Sequence, residues 1–396
     1  MLHFFTSIIV YGFMMWVMNY FGTIAYKCQY PQGIDGVDKF KNRKISFVTL
    51  LAKRYFLIPI FVFCFFAALR FQVGVDCESY KKLFYEINSI AGLESRDIEP
   101  AFLFVTYVTS AISGKHYLFM FVMAFLQIVF LYYAQRKTTY SLRFFGLTLF
   151  LSGVFFSLMN GMRQYIATCV FVALVPLVLE KKKWVWYIIG IIFAMQMHKT
   201  AFLMFPLGII AYFLQYKIPN RKIQLGVIAV CFILMDSLNV SSIINLFSIY
   251  GSNAGYDDRA IDVYSNVEMM NKAFGLRSFL LLASYIITVW YSEKMQGLFN
   301  SKVFNIQYNL FFIGICLHLL FYNNFVIGRL LYYFLIFIPI VISTTLFYLK
   351  NSRNSFNKKF MFKLLIWILV VRFFYELYDA YQNLPFESSL YKFDLL

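Results

Sequence analysis

Long apolar runs dominate the chain, and short polar stretches separate them. A membrane helix needs roughly 20 apolar residues. The runs that reach or approach this length are 3–25, 52–70, 117–134, 144–160, 164–179, 184–198, 201–216, 223–240, 277–292, 304–322, 329–349 and 360–379. A shorter run, 100–113, follows Glu99-Pro100. The pattern predicts an all-α polytopic membrane protein, a single integral domain over residues 1–396, with about twelve transmembrane helices. The first run, Met1 to Ala25, lacks a basic leading region and a cleavage-like site, so it reads as a membrane helix and not as a removed signal peptide. No repeat of 20–50 residues is visible.

Lys and Arg set the expected direction. The loops at 27–54, 136–143, 180–183, 217–222, 293–302 and 350–363 hold about 23 basic and about 4 acidic residues. The rest of the chain holds about 13 basic and about 15 acidic residues. The first set is expected on the cytoplasmic side, with the N-terminus and the loops at 71–99 and 241–276 outside. If 100–113 crossed the membrane, this alternation would break. It is therefore expected to be re-entrant or interfacial, and non-helical backbone at depth is tolerated only where protein or a wet cavity surrounds it.

Composition sharpens the class. Hydrophobic residues make up 61% of the chain and charged residues 14%, with 49 Phe and 30 Tyr, which excludes a soluble enzyme, a disordered chain and a disulfide-rich module. The net charge of +17 fits basic loops facing anionic lipid and gives no reason to expect nucleic acid. Most cysteines lie inside apolar runs, and no Cys/His cluster has metal-ligand spacing.

The polar residues that a membrane chain should avoid collect on the expected outer face. Arg70 closes the second run, and Gly74-Val75-Asp76, Glu78 and Tyr80 follow it. Glu99 opens the short run. Asn160-Gly161-Met162-Arg163-Gln164 and His198-Lys199-Thr200 each join two apolar runs with no true loop, while Arg277 and Arg329 open helices. Each also has a plain structural role: an arginine snorkelling to headgroups, a histidine bonded across a turn, an aspartate capping a helix, or Asn-Gly as a tight turn. Chance snorkelling should favour the inner face, so their gathering on one side points to a site. Several guanidinium groups suit a phosphate or diphosphate, and a carboxylate or imidazole nearby suits proton removal from a hydroxyl. The outer loop at 241–276, with Tyr250-Gly251-Ser252-Asn253 and Asp257-Asp258-Arg259, could cover a glycan groove. Walker A, G-x-G-x-x-G, H-E-x-x-H and G-x-S-x-G patterns are absent.

The ordered set Arg70…Gly74-x-Asp76…Tyr80, Glu99-Pro100-x-Phe102, Asn160-x-x-Arg163-Gln164-x-x-Ala167 and His198-x-Thr200-Ala201 resembles the EpsG family of Wzy-type polysaccharide polymerases of bacterial surface glycans. Arg329…Tyr333 and Leu384-Pro385-Phe386 are similar to that family's end, although Pro-Tyr is more usual there and an aromatic residue more usual than Met197. The resemblance implies transfer of a growing O-antigen, capsular or related glycan from undecaprenyl diphosphate to a new lipid-linked unit, at the outer leaflet of the bacterial inner membrane. No metal, nucleotide sugar or other cofactor is implied, and a chain-length regulator protein is an implied partner. On chemical grounds Arg163, Arg70 and Arg329 would hold diphosphate, with Arg277 and Arg259 as further candidates. Asp76, Glu99 or His198 would be the base, and Gln164, Asn160 and Tyr80 would bind substrate.

Two other classes compete. Asp76-x-Glu78 would suit a glycosyltransferase that uses a polyprenyl-monophosphate sugar, although the large soluble domain usual there is missing. A lipid-linked sugar flippase would need charges deep in several helices, yet 55–69, 117–134, 165–179 and 184–197 contain none.

Overall fold

The computed structural model describes residues 2–30, 46–87, 98–218, 220–235, 274–351, 356–382 and 389–394. It is helical almost throughout. In chain order the helices are α1 (Leu2–Gln29), α2 (Phe47–Ala52), α3 (Arg54–Ala68), α4 (Cys77–Glu86), α5 (Pro100–Ile112), α6 (Tyr117–Ala134), α7 (Leu142–Leu151), α8 (Val154–Asn160), α9 (Met162–Leu174) and α10 (Trp184–Met197). There follow α11 (Met204–Phe213), α12 (Arg221–Ile233), α13 (Leu276–Trp290), α14 (Ser292–Phe299), α15 (Lys302–Leu320), α16 (Phe325–Leu330), α17 (Tyr332–Leu335), α18 (Ile338–Asn351) and α19 (Phe356–Gln382). Two short strands, β1 (Arg70–Phe71) and β2 (Lys392–Phe393), pair antiparallel, with Arg70 opposite Phe393.

The all-α membrane class stands, but the count of about twelve spans does not. Among the described residues four stretches are long and apolar enough to cross: Leu2–Gln29, Tyr117–Ala134, Lys302–Leu320 and Ile327–Asn351. A fifth arises if Thr139–Leu151 and Val154–Asn160, bent by 67° at their junction, count as one. Most of the remaining apolar runs became short helices. α3 and α13 have 15 residues each, about 23 Å at 1.5 Å per residue, against a hydrocarbon core of about 30 Å. The run at 360–379 lies in a 27-residue helix whose interior carries Arg372 and Glu376, paired at 3.0 Å one turn apart.

Breaks are built as deliberately as helices. Between α7 and α8, Gly153 adopts φ +83°, and the Arg372 guanidinium lies where a side chain would stand. Arg372 also donates to the Leu151 carbonyl at 3.1 Å, satisfying a helix end that has no water to turn to. The run expected at 100–113 forms α5, a 13-residue apolar helix, shorter than a full membrane span. Its start lies beside Arg163 through Glu99. Its far end leads to His116, bonded at 2.9 Å to Asp394, whose N–H donates to the Leu69 carbonyl beside Arg70.

Aromatic packing fills the core. Tyr11, fully buried, lies within 6.2 Å, centroid to centroid, of Phe150, Phe155, Phe156, Phe373 and Tyr391, and so ties α1 to α7, α8, α19 and the C-terminal strand region. Such edge-to-face contacts add to simple burial. Glycine lets α7 lie close against α1: a side chain at Gly146 would collide with Met18 and Asn19.

Candidate active site

A polar cavity of about 60 Å³ opens where five helix ends meet, lined by Asp76, Asn160, Arg163, His198, Arg329 and Tyr332, with Tyr80, Gly161 and Gln164 completing it. Seven of these nine were singled out as site residues from sequence. Tyr332 was missed, although it stacks on Tyr165 at 4.7 Å.

The loop after α3 delivers Asp76. Gly74 takes φ +88°, and a side chain there would stand 2.8 Å from the Asn160 Cα, so only glycine lets this turn lie against the end of α8. The Asp76 N–H then donates to Asn160 Oδ1 at 3.0 Å. Asp76 occupies the N-cap position of α4, but its side chain makes no cap bond. Its carboxylate accepts no hydrogen bond among the described residues, which sets aside the capping role. Burial raises the Asp76 carboxyl above the ordinary range, and Arg329 and Arg163 counter this in part.

Glu99 is used differently. It is the N-cap of α5 and does not cap that helix either. One carboxylate oxygen accepts from Arg163 Nη1 at 2.6 Å and the other from the Lys199 N–H at 3.2 Å. Both oxygens are thus engaged and Glu99 is buried, so it serves as the holder of Arg163 and of the 198–200 turn and is poorly placed as a base. Arg163 also lies over the Phe102 ring at 5.0 Å and hydrogen-bonds Tyr80, while about a third of its side chain remains exposed. Burial raises the Tyr80 hydroxyl above its usual value, with Arg163 opposing, so Tyr80 stays protonated.

His198 ends α10 in extended backbone, at the turn between that helix and the 3₁₀ segment Lys199–Leu203. Its Nδ1 accepts the Thr200 N–H at 3.3 Å and sits 2.8 Å from the Thr200 hydroxyl. A backbone N–H can only donate, so Nδ1 is unprotonated and the neutral ring carries its proton on Nε2. Burial, with Arg163 and Arg329 adding to it, pushes the imidazolium pKa down to about 3. His198 therefore offers a donor at neutral pH and is ill suited to take a proton. Gln164 Nε2 donates to the Arg329 carbonyl at 2.9 Å, fixing α16 to α9, and reaches the Thr200 hydroxyl at 3.4 Å.

Two arginines named from sequence stand elsewhere, and a third lies outside the described residues. Arg70 is 1% exposed and does not line the cavity. Its guanidinium donates to the carbonyls of Ala67, Val73 and Met159 and meets the sulfur of Met162 at 3.0 Å. It braces the loop that presents Asp76 and is not positioned to hold a diphosphate. Arg277 pairs with Glu376 at 3.1 Å, away from the cavity. Arg259, most of the 241–276 loop, residues 88–97 and Leu384-Pro385-Phe386 lie outside the described residues.

A second polar cluster went unseen in the sequence. Asp394, near the C-terminus, forms an ion pair with Lys81 and a hydrogen bond with His116 Nε2 at 2.9 Å, and Tyr117 donates to its carbonyl at 2.7 Å. This fastens the C-terminal strand region to α4 and α6 beside Arg70. Among the described residues no three His, Cys, Asp or Glu side chains group closely enough to hold a metal ion. What the cavity can hold is an anion, with Arg163, Arg329 and the His198 Nε2–H as partners.

The fold and the cavity define a polytopic membrane protein with a cationic pocket and one carboxylate at its helix ends. The EpsG family model matches residues 53–388, most of the chain, and the chain belongs to that family, whose members are of the Wzy-type polymerase kind. No curated protein and no solved structure matches it.

Proposed function

We propose that the protein polymerises undecaprenyl-diphosphate-linked oligosaccharide units into a surface polysaccharide, at the outer leaflet of the inner membrane. The observation that carries this reading is the meeting of Asp76, Arg163, Arg329 and His198 in one small cavity. Its volume suits a phosphate-sized group and not an oligosaccharide, so the glycans would lie outside and only the reacting centre within.

In the mechanism we favour, the Asp76 carboxylate takes the proton of the acceptor hydroxyl. The freed oxygen attacks the anomeric carbon of the donor glycan. The bond from that carbon to the diphosphate oxygen breaks, and its electron pair stays on the diphosphate. Arg163 and Arg329 stabilise the developing charge, and the His198 Nε2–H donates one further hydrogen bond. Glu99 and Arg70 position Arg163 and Asp76. Glu78 is half-exposed and pairs with Lys81 at 3.5 Å, outside the cavity lining, which weakens the case for an Asp-x-Glu phosphosugar site. The orientation rests on the charge pattern of the loops.

The test is reconstitution. Purified protein in proteoliposomes, given the lipid-linked repeat unit as sole glycan, should yield a ladder of lengthening lipid-linked chains. Translocation of the unit without elongation, or transfer that requires a separate polyprenyl-monophosphate sugar, would replace this reading with one of its rivals.

A further inference from the structure

A larger cavity, about 520 Å³, lies at the opposite end of α9 and α10. α9 begins at Arg163 in the active-site cavity and reaches this second pocket with Leu174. α10 begins beside it with Trp186 and ends at His198. The two sites are thus separated by about 13 residues of helix, roughly 20 Å. The second pocket belongs to the face of the basic loops.

Its chemistry is divided. Arg136, 6% exposed, sits past the end of α6 and donates through Nη1 to the carbonyls of Tyr133 at 2.9 Å and Ala173 at 2.8 Å. It thereby closes two helix C-termini, where a cation is favoured. Nη2 and Nε have no acceptor among the described residues. Lys137 and Lys183 flank it, and Glu180, bonded to Lys137 at 3.0 Å and ion-paired with Lys183, holds the two ammonium groups at the rim. The lining therefore keeps two net positive charges. Leu174, Leu177 and Trp186 form the other wall. From Trp186 an exposed apolar stripe continues along α10 through Ile189 and Phe193.

We propose that this pocket binds an anionic phospholipid, its phosphate against Arg136, Lys137 and Lys183 and an acyl chain along the Trp186–Ile189–Phe193 stripe. A buried guanidinium with unused donors supplies the anion contact, and the stripe supplies a path that a free phosphate ion would not use. The inference does not depend on the reaction proposed for the other cavity.

The experiment uses the full-length purified protein in a non-ionic detergent, titrated with short-chain phosphatidylglycerol, phosphatidylcholine or inorganic phosphate. Binding is read by native mass spectrometry and by the thermal unfolding midpoint. Phosphatidylglycerol should bind at least tenfold tighter than phosphatidylcholine, and inorganic phosphate at equal concentration should give no comparable shift. Lys137→Ala with Lys183→Ala should weaken phosphatidylglycerol binding about tenfold or more. Glu180→Gln removes the opposing charge and should tighten it several-fold, a result that a purely structural ion-pair cluster would not give. Glu180→Gln also keeps the test decisive if the double-lysine variant fails to fold. Equal binding of the two lipids, full reproduction of the shift by inorganic phosphate, or weaker binding in Glu180→Gln would each overturn the proposal.

Discussion

Separating what Arg163 does for the fold from what it does for the reaction requires a double-mutant cycle with Glu99. The two meet at 2.6 Å, but their surroundings differ: the Glu99 side chain is 8% exposed and that of Arg163 is 31% exposed. Arg163→Gln strands a buried carboxylate that keeps, among the described residues, the Lys199 N–H as a donor. Loss of one partner of a buried pair costs about 3–5 kcal/mol, and the remaining bond to Lys199 argues for about 3. Glu99→Gln leaves Arg163 facing a wet cavity and hydrogen-bonded to Tyr80, so its cost should be nearer about 1.5 kcal/mol, that of one charge-assisted bond. The double variant, with neither charge, should return to within about 1 kcal/mol of the parent. The assay is thermal unfolding of purified protein followed by size-exclusion chromatography, with glycan chain length on gels alongside. If Arg163 holds the leaving diphosphate, the stable double variant still fails to polymerise. Normal chains from it would make Arg163 a purely structural residue. Equal costs for the two single variants would refute the burial argument.

Other outcomes follow from the same geometry. Asp76→Asn should lower turnover by about 10²–10⁴ with lipid-linked substrate still bound, as for loss of a general base, whereas near-normal turnover would remove Asp76 from the mechanism. Because the folded state raises the Asp76 carboxyl, it favours the protonated form. The contribution of that group to stability is greatest at acid pH and is lost as pH climbs through the raised value. Asp76→Asn should therefore be more stable than the parent at neutral pH and equal to it in acid, as read by unfolding midpoints across pH. Gly74→Ala should lower both stability and activity, by about 1–3 kcal/mol in unfolding, because a strained φ and a clash with Asn160 act together. For topology, Cys28 is exposed at the basic-loop end of α1 and Lys82 is exposed on α4 near the cavity. In intact cells an impermeant thiol reagent should label Lys82→Cys and not Cys28, and the reverse would invert the orientation.

Much of the cavity was legible in the sequence because polar residues inside apolar stretches are expensive and so rarely accidental. Asn160-Gly161-Met162-Arg163-Gln164 and His198-Lys199-Thr200 stood out on that ground, and both reach the cavity or its first supports. Arg70 satisfied the same rule for a different reason. A sequence shows that a guanidinium closes a helix, not that three carbonyls await it. Arg277 was misplaced likewise, since its partner Glu376 lies 99 residues away. The bond between His116 and Asp394 joins positions 278 apart, beyond any local pattern. Tyr332, one of 30 tyrosines, carried no signal of its own. The span count failed because an apolar run reports removal from water and not helix length: α3, α10, α11 and α12 keep exposed apolar faces but are broken off at 10–15 residues, short of a full crossing.

The cavity residues share a position more than a chemistry: each stands at a break in a helix. Asp76 precedes α4, Asn160 ends α8, Arg163 opens α9, His198 follows α10 and Arg329 lies in the last turn of α16. Helix ends expose backbone groups that hydrocarbon cannot satisfy, so five ends in one place form a stable arrangement only if they answer one another. They do so through side chains. Asn160 accepts the Asp76 N–H, Glu99 accepts the Lys199 N–H, Gln164 donates to the Arg329 carbonyl, and Arg70 donates to the carbonyls of Ala67 and Met159. After that accounting the Asp76 carboxylate and the His198 Nε2–H are groups no backbone break requires. The polar residues that close the helix ends also fix the distances among the groups that remain for a ligand. Substitutions at Asn160 or Gln164 should accordingly disturb the site by moving Asp76 or Arg329, even where neither touches substrate.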